Sequence, residues 1–521
     1  MMNRFLTACA TLALTTGMAN ADYTLNILHI NDLHSRIESV NKYDSTCDAE
    51  GEAAGECFGG VARIKTYIDG RRAELSDANL LVVDAGDQFQ GSLMYTTYKG
   101  EVEAEMMNAI GFDVMAVGNH EFDDGPSALA AFADMVDVPV ISGNIDVSQS
   151  NELAGKIEDH LILEIGGEKI GIVSALATDT AETSSPGPNV IFTPEAEAIQ
   201  ADIDALTEMG VNKIIAVTHL GLPADKRLAE AVTGLDLIIG GHSHTLLSNT
   251  EEGAEAYPTV VNGVPIVQAY AYSKYVGDLA ITFDDDGNVI STEGDTVVMD
   301  ASVTPDEEIL ARVAELAGPI EELKAQVIGE ASDLIEGSRD VCRAQECAMG
   351  NLVADAMLDR VADQGVSIAI QNGGGLRATI DAGEITMGEV LTVLPFQNTL
   401  ATFSASGADI LAALENGVGQ IADGAGRFPQ VAGLTYAFDA AAEPGSRISD
   451  VMVGGEPIDT EATYGVVTNN YVRNGGDGYA MFATAEDAYD FGPGLEVVVA
   501  DYIAGLGGTY TPYTDGRIMA K

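Results

Sequence analysis

Five apolar runs in the first half of the chain each end abruptly in a polar cluster: "NDLH" at 31–34, "DAGDQ" at 84–88, "GNHEFD" at 118–123, "THLG" at 218–221 and "GGHSH" at 240–244. Runs such as "TLNILHI", "LLVVDA", "DVMAVG", "KIIAVTH" and "LDLIIGG" are short, rich in β-branched residues, and alternate with amphipathic stretches. That pattern predicts an α/β domain around a largely buried sheet. In such sheets the carboxyl ends of the strands line the ligand crevice, so segments far apart in sequence bring their polar ends to one place. Five of the seven histidines lie in these clusters. His29 and His160 do not, and are read as satisfied structural groups.

The donor types point to metal chemistry. Imidazole suits zinc and its neighbours, whereas carboxylate and amide oxygens suit harder ions; the mixture fits two divalent cations of a hydrolase, Zn first, with Mn or Co as alternatives. Such a pair needs a bridging acid to hold it at about 3.5–4 Å, and an activated water as nucleophile.

At 521 residues the chain exceeds one hydrophobic core, so two or more domains are expected. From Thr304, "TPDEEILARVAELAGPIEELKAQV" carries apolar residues at helical spacing and acids in its first turn, with Pro319 expected to interrupt or kink it. The division is therefore an α/β domain over 22–303, a linker helix over 304–327 and a second α/β domain over 328–521. "DDDGNVI" at 284–290 reads as a hairpin turn.

Residues 1–21 read as a secretory signal peptide: Arg4 gives a positive start, "FLTACATLALTTGM" is apolar, and Ala19-Asn20-Ala21 is a small-x-small cleavage signal. The expected location is secreted, periplasmic or extracellular, with no membrane anchor. Removal of Cys9 leaves two close pairs, Cys47 with Cys57 and Cys342 with Cys347. Local disulfides are the simplest of the three connectivities, and a zinc site is the rival. The formal charge of -56 disfavours nucleic-acid polymers and anionic membranes as partners.

In so acidic a chain, each arginine near a turn stands out. Arg339 and Arg343 flank "DVC", and Arg377 closes "NGGGLR"; their planar forks suit an anionic substrate. "LPFQN" and "NNYVRNGGDG" each offer one aromatic. Two aromatics can form a stacking clamp for a base.

Taken in order, "NDLHSR", "DAGDQFQG", "GNHEFD", "GGHSH", "NGGGLR" and "NGGDG" resemble the 5′-nucleotidase family over essentially the whole mature chain. The resemblance implies an N-terminal calcineurin-like metallophosphoesterase αββα sandwich joined by a helix to a C-terminal α/β substrate-binding domain. It implies that Asp32, His34 and His244 hold one metal and Asn119, His219 and His242 the other, with Asp87 bridging; Asp84 is the nearby alternative to Asp87 and is read as supporting. His244 departs from the Asn or Gln of the compared relatives, which touches metal preference. His120 would not be a ligand: it would stabilise charge on the phosphate, oriented by Asp123, and a carboxylate partner does fix a histidine's tautomer and favour its protonated form.

On the substrate side the resemblance implies that Arg343 and Arg377 contact phosphate, with Arg339 an additional arginine of bacterial relatives. Phe396 and Tyr471 would clamp the base, Asp477 would hold the ribose, and Asn372 and Asn398 would lie nearby. Many relatives have Phe where Tyr471 stands, a departure expected to matter little. The implied activity is hydrolysis of nucleoside 5′-monophosphates by a monomer or homodimer whose C-terminal domain rotates. UDP-sugar hydrolysis or 2′,3′-cyclic phosphodiesterase activity is the near alternative, and a non-catalytic nucleotide-binding protein the distant one.

Overall fold

The computed structural model describes residues 22–521 apart from Tyr43, Ser45, Asp179, Gln397 and Phe491; the expected signal peptide, with Cys9, lies outside the described residues. Two six-stranded sheets form the N-terminal half. In the first the order is Val289–Val298, Tyr275–Phe283, Tyr23–Ile30, Asn79–Asp84, Val114–Ala116, Val140–Ile141. Its last four strands are parallel, and its first two form a hairpin closed where Asp284 N–H donates to the Asn288 carbonyl. The second runs Thr259–Val261, Val264–Val267, Leu237–Ile239, Ile214–His219, Glu168–Leu176, His160–Ile165, with the middle four parallel.

Side-chain alternation assigns the faces. Leu25, Ile27, Leu81, Val83, Val114 and Ala116 join Ile172, Ile215 and Ile238 of the second sheet in one core. Leu28, Ile30, Val82, Met115 and Val117 point the other way, into a core shared with the helices Val61–Glu74, Glu101–Ile110 and Pro126–Met135. Each fully buried Val, Leu or Ile contributes about 1.5–3 kcal/mol, so the strands, and the ends that carry the polar clusters, are rigidly placed.

The helix Glu307–Lys324 starts where the Asp306 carboxylate accepts the Ile309 N–H at 2.9 Å. The expectation that Pro319 interrupts it is not met: the helix runs through. Pro319 and Glu315, whose carbonyl loses its donor, both lie on the exposed side, where water can replace the missing bond. Ile309, Val313, Leu316 and Ile320 bury the opposite side against the N-terminal half.

The C-terminal half holds a five-stranded sheet, ordered Pro429–Ala432, Val366–Asn372, Thr463–Asn469, Leu400–Ser406, Glu486–Tyr489, and a four-stranded one. Helices Ala348–Arg360 and Leu495–Gly505 contribute to one core of this half and Gly407–Val418 to another. Both local disulfides form, Cys47–Cys57 and Cys342–Cys347, which removes the zinc alternative. A Cβ on Gly373 would fall 2.4 Å from the Cys342 carbonyl oxygen, so the "GGG" turn packs on the disulfide loop only as glycine. Among the described residues, no helix is long and apolar enough to cross a membrane.

Candidate metal centre and interdomain cleft

The five polar clusters converge. Ligand atoms of Asp32, His34 and His244 lie within 4.8 Å of one another, and so do those of Asp87, His219 and His242. Asp87 also falls in a third group, with His34 and His120, and so links the two: its Oδ2 is 3.0 Å from His219 Nε2 and 3.7 Å from His34 Nε2. Asn119 Oδ1 lies 2.8 Å from His242 Nδ1.

Backbone carbonyls fix the histidine tautomers. His219 Nδ1 donates to the Ala85 carbonyl at 2.7 Å and His34 Nδ1 to the Phe89 carbonyl at 3.1 Å. Each Nε2 lone pair is thereby left facing other lone pairs: His219 faces Asp87, and His34 Nε2 is 2.9 Å from His244 Nε2. Only a cation or a proton between them makes such contacts favourable. Burial disfavours charge on both rings; the Asp87 and Asp32 carboxylates outweigh it at His219, raised to about 10, but not at His34, lowered to about 3. Among the described residues, the buried Nε2 of His219 and Nδ2 of Asn119 have no hydrogen-bond partner. The donor set therefore fits a pair of divalent cations.

Backbone strain is concentrated at the same place. Asp32, His34, Asp87, His242 and His244 all adopt left-handed φ between 49° and 75°. Each such non-glycine residue costs about 1 kcal/mol or more, a cost that packing elsewhere must offset. A Cβ on Gly118 would sit 2.2 Å from Asp87 Oδ1, so the "GN" of "GNHEFD" needs its glycine for close approach.

Asn119 and His120 open a short 3-10 turn, and His120 Nδ1 meets Asp123 Oδ2 at 2.6 Å. Ser184 Oγ donates to the other Asp123 oxygen at 2.7 Å. Burial works against charge on His120, but Asp123 and Asp87 together raise it to about 9, which favours the protonated ring at neutral pH in the metal-free chain. Sequence reasoning missed Glu121. Its buried carboxylate accepts the N–H groups of Asp87 (3.0 Å), Gln88 (2.8 Å), Phe89 (3.2 Å) and Gly118 (2.6 Å), tying the two metal loops together. Asp84 braces its own loop, accepting from Gly86 N–H at 2.8 Å and from Gln88. His29 bonds to the Tyr257 hydroxyl at 2.8 Å and His160 to Asp202 at 2.9 Å, both away from the centre.

A cavity of about 600 Å³ lies between the halves. His244, Arg36, Tyr270 and Tyr272 line it from the N-terminal side; Arg343, Asn372, Arg377, Phe396, Asn398, Tyr471 and Asp477 line it from the other. Arg377 stacks over Phe396 at 5.1 Å. The Asp477 carboxylate is held by Asn372 Nδ2 at 2.7 Å and by the Tyr471 hydroxyl at 3.2 Å. Tyr in place of Phe is therefore more than a neutral departure, because it supplies this bond. Arg339 stands apart, lining a neighbouring cleft of about 510 Å³ that also touches Arg377 and Phe396. Arg63, Arg71, Arg312, Arg473 and Arg517 all pair with acids. Among the described residues no carboxylate pairs with Arg343 or Arg377, although the chain has 81 acids. Guanidinium groups without a carboxylate partner, lining one cavity, suit an anionic ligand.

Residues 25–246 match the calcineurin-like phosphoesterase model and residues 327–484 the 5′-nucleotidase C-terminal domain model. The chain is 37% identical over 538 aligned positions to a 5′-nucleotidase of Diplobatis ommata, covering 97% of this chain and 91% of that one. With the human 5′-nucleotidase the identity is 36% over 554 positions, covering 99% and 95%. Among solved structures, a 5′-nucleotidase precursor from Thermus thermophilus is 40% identical with a TM-score of 0.63, covering 96% of this chain and 99% of that one. The NAD nucleotidase of Haemophilus influenzae is 26% identical with a TM-score of 0.78, covering 96% and 100%.

Proposed function

The chain belongs to the 5′-nucleotidase family and is a nucleotide-hydrolysing metallophosphoesterase; we propose that it is a secreted enzyme that splits nucleoside 5′-monophosphates, such as AMP, into nucleoside and phosphate. The observation that carries the proposal is the convergence, on one interdomain cavity, of a donor set suited to two cations and a clamp suited to a nucleotide.

Asp32, His34 and His244 would hold one metal, and Asn119, His219 and His242 the other, with Asp87 shared; Zn suits the imidazole-rich set, with Mn or Co next. When bound, the two cations polarise the phosphoryl group and activate a water for in-line attack. The chain's own residues do the rest. Phe396 and Tyr471 stack on the base, and Asp477, steadied by Asn372 and Tyr471, accepts the ribose hydroxyl protons. Asn398 lines the base side. Arg343 and Arg377 neutralise phosphate, with Arg339 acting from the adjoining cleft. His120 holds its proton toward the phosphoryl oxygens, where negative charge builds, and Asp123 keeps the ring in that orientation. The reading divides the chain at the linker 304–327, which contains the helix Glu307–Lys324, with the metals on one side and the nucleotide grip on the other. Export after removal of residues 1–21 agrees with the two disulfides, which persist in oxidising compartments.

Phosphate release from AMP by purified protein tests the proposal directly. Chelation is expected to abolish release and added Zn, Mn or Co to restore it; AMP binding without metal-dependent release would leave a binding protein instead. A second expectation concerns the clamp. Phe396→Ala should raise KM for AMP about 5- to 150-fold, since stacking on one aromatic is worth about 1–3 kcal/mol. Steady-state kinetics will read it, and an unchanged KM would remove Phe396 from the base site.

A further inference from the structure

Arg36 is a buried arginine that pairs with no acid among the described residues. It follows the ligand His34 by two positions and is only 4% exposed, yet it lines the interdomain cavity beside His244. Its Nε donates to the Asp44 carbonyl at 3.2 Å, its guanidinium lies 5.0 Å over the Tyr272 ring, and its Nη1 has no hydrogen-bond partner among the described residues. The Asp44 carboxylate turns instead to the Tyr270 hydroxyl at 2.9 Å and to Lys274. Glu496, across the domain interface, and Asp44 both favour the charged guanidinium from a distance, but neither carboxylate forms an ion pair with it among the described residues.

A buried guanidinium without an anion is expensive, and a folded chain keeps one where a ligand supplies the anion. The surroundings are built to hold it. Tyr270, Tyr272 and Ser273 adopt left-handed φ of 63°, 59° and 62°, and Tyr272 N–H donates to the Asp32 carbonyl at 2.8 Å, which couples the stack to the metal loop. Arg343 and Arg377 face the same cavity from the other half.

We propose that Arg36 is a substrate-binding residue that grips the phosphoryl oxygens from the metal side, opposite the arginines of the C-terminal half. The inference rests on the nucleotide-hydrolase reading but is testable apart from it, because inorganic phosphate alone probes the same contact. The variant is Arg36→Met, which keeps the length and the stacking contact but removes the charge. Calorimetric titration of the metal-loaded enzyme with its two expected products, phosphate and adenosine, separates the roles. Loss of one charge-assisted contact predicts about 10- to 100-fold weaker phosphate binding with adenosine binding unchanged. The melting temperature of the ligand-free variant should rise, since a buried unpaired charge is gone. A merely structural arginine would do the opposite, lowering the melting temperature and leaving phosphate affinity intact, and that result would overturn the proposal. Equal weakening of phosphate and adenosine would overturn it too. If phosphate binding falls as expected in an enzyme that releases nothing from AMP, the assignment of Arg36 stands and the nucleotidase reading fails.

Discussion

Asp87→Asn is expected to reduce phosphate release from AMP by more than about 10³-fold and to leave the purified protein with fewer than two metal equivalents. Asp87 is the carboxylate that links the two candidate metal clusters: its Oδ2 faces His219 Nε2 at 3.0 Å and His34 Nε2 at 3.7 Å. Its Oδ1 accepts the His120 N–H at 2.9 Å, which an asparagine oxygen can still do, so the loop should survive. What is lost is charge. Asp32 would be left as the one carboxylate among the proposed ligands, too little to hold two dications against their mutual repulsion. Removing a single neutral donor from a charge-stabilising site already costs about 10²–10³-fold, and removing a cation should cost more. Elemental analysis beside a phosphate assay checks both halves of the expectation. Two metals retained with near-normal turnover would show that the bridge lies elsewhere, with Asp84 the next acid in the same loop.

How much of this is legible in the sequence depends on whether a residue's role leaves a local pattern. The proposed metal ligands leave one, because each follows a β-branched run and strand ends share one crevice in an α/β sheet. Glu121 does not: its task is to collect N–H groups from two loops, and an acid doing that looks like any solvated acid in a chain with 81 of them. Arg36 stands in plain sight in "NDLHSR", but what marks it is a buried Nη1 without a hydrogen-bond partner among the described residues, a property of the folded chain alone. Tyr471 looks like an equal substitute for Phe as long as stacking alone is weighed, without its hydroxyl's bond to Asp477. Pro319 misleads in the other direction. A proline rule written for helix interiors is softened where the freed carbonyl faces water and the buried stripe of Ile309, Val313, Leu316 and Ile320 holds the helix together.

The same separation of ligand from neighbour governs His120→Asn, which should lower kcat by about 10²–10⁴-fold while metal content stays at the wild-type level. His120 meets Asp123 through Nδ1 at 2.6 Å, and the proposed ligand Asn119 lies on its other side in sequence. Asn119→Ala, by contrast, removes an oxygen 2.8 Å from His242 Nδ1 and should weaken metal binding itself. Two adjacent residues are thus expected to fail in different ways, one in rate and one in metal occupancy. The pH profile gives a third readout. Against burial, Asp123 and Asp87 raise His120 to about 9 in the metal-free chain, so the ring proposed to face phosphate is expected to stay protonated through neutral pH and to lose its proton on the alkaline side. Asp123→Asn removes the larger of the two supports. The alkaline fall in kcat should therefore move to lower pH, while metal content again stays unchanged. An alkaline limb that does not move would mean that the group titrating there is not His120, and the histidine would then act by shape or by neutral hydrogen bonding rather than by charge.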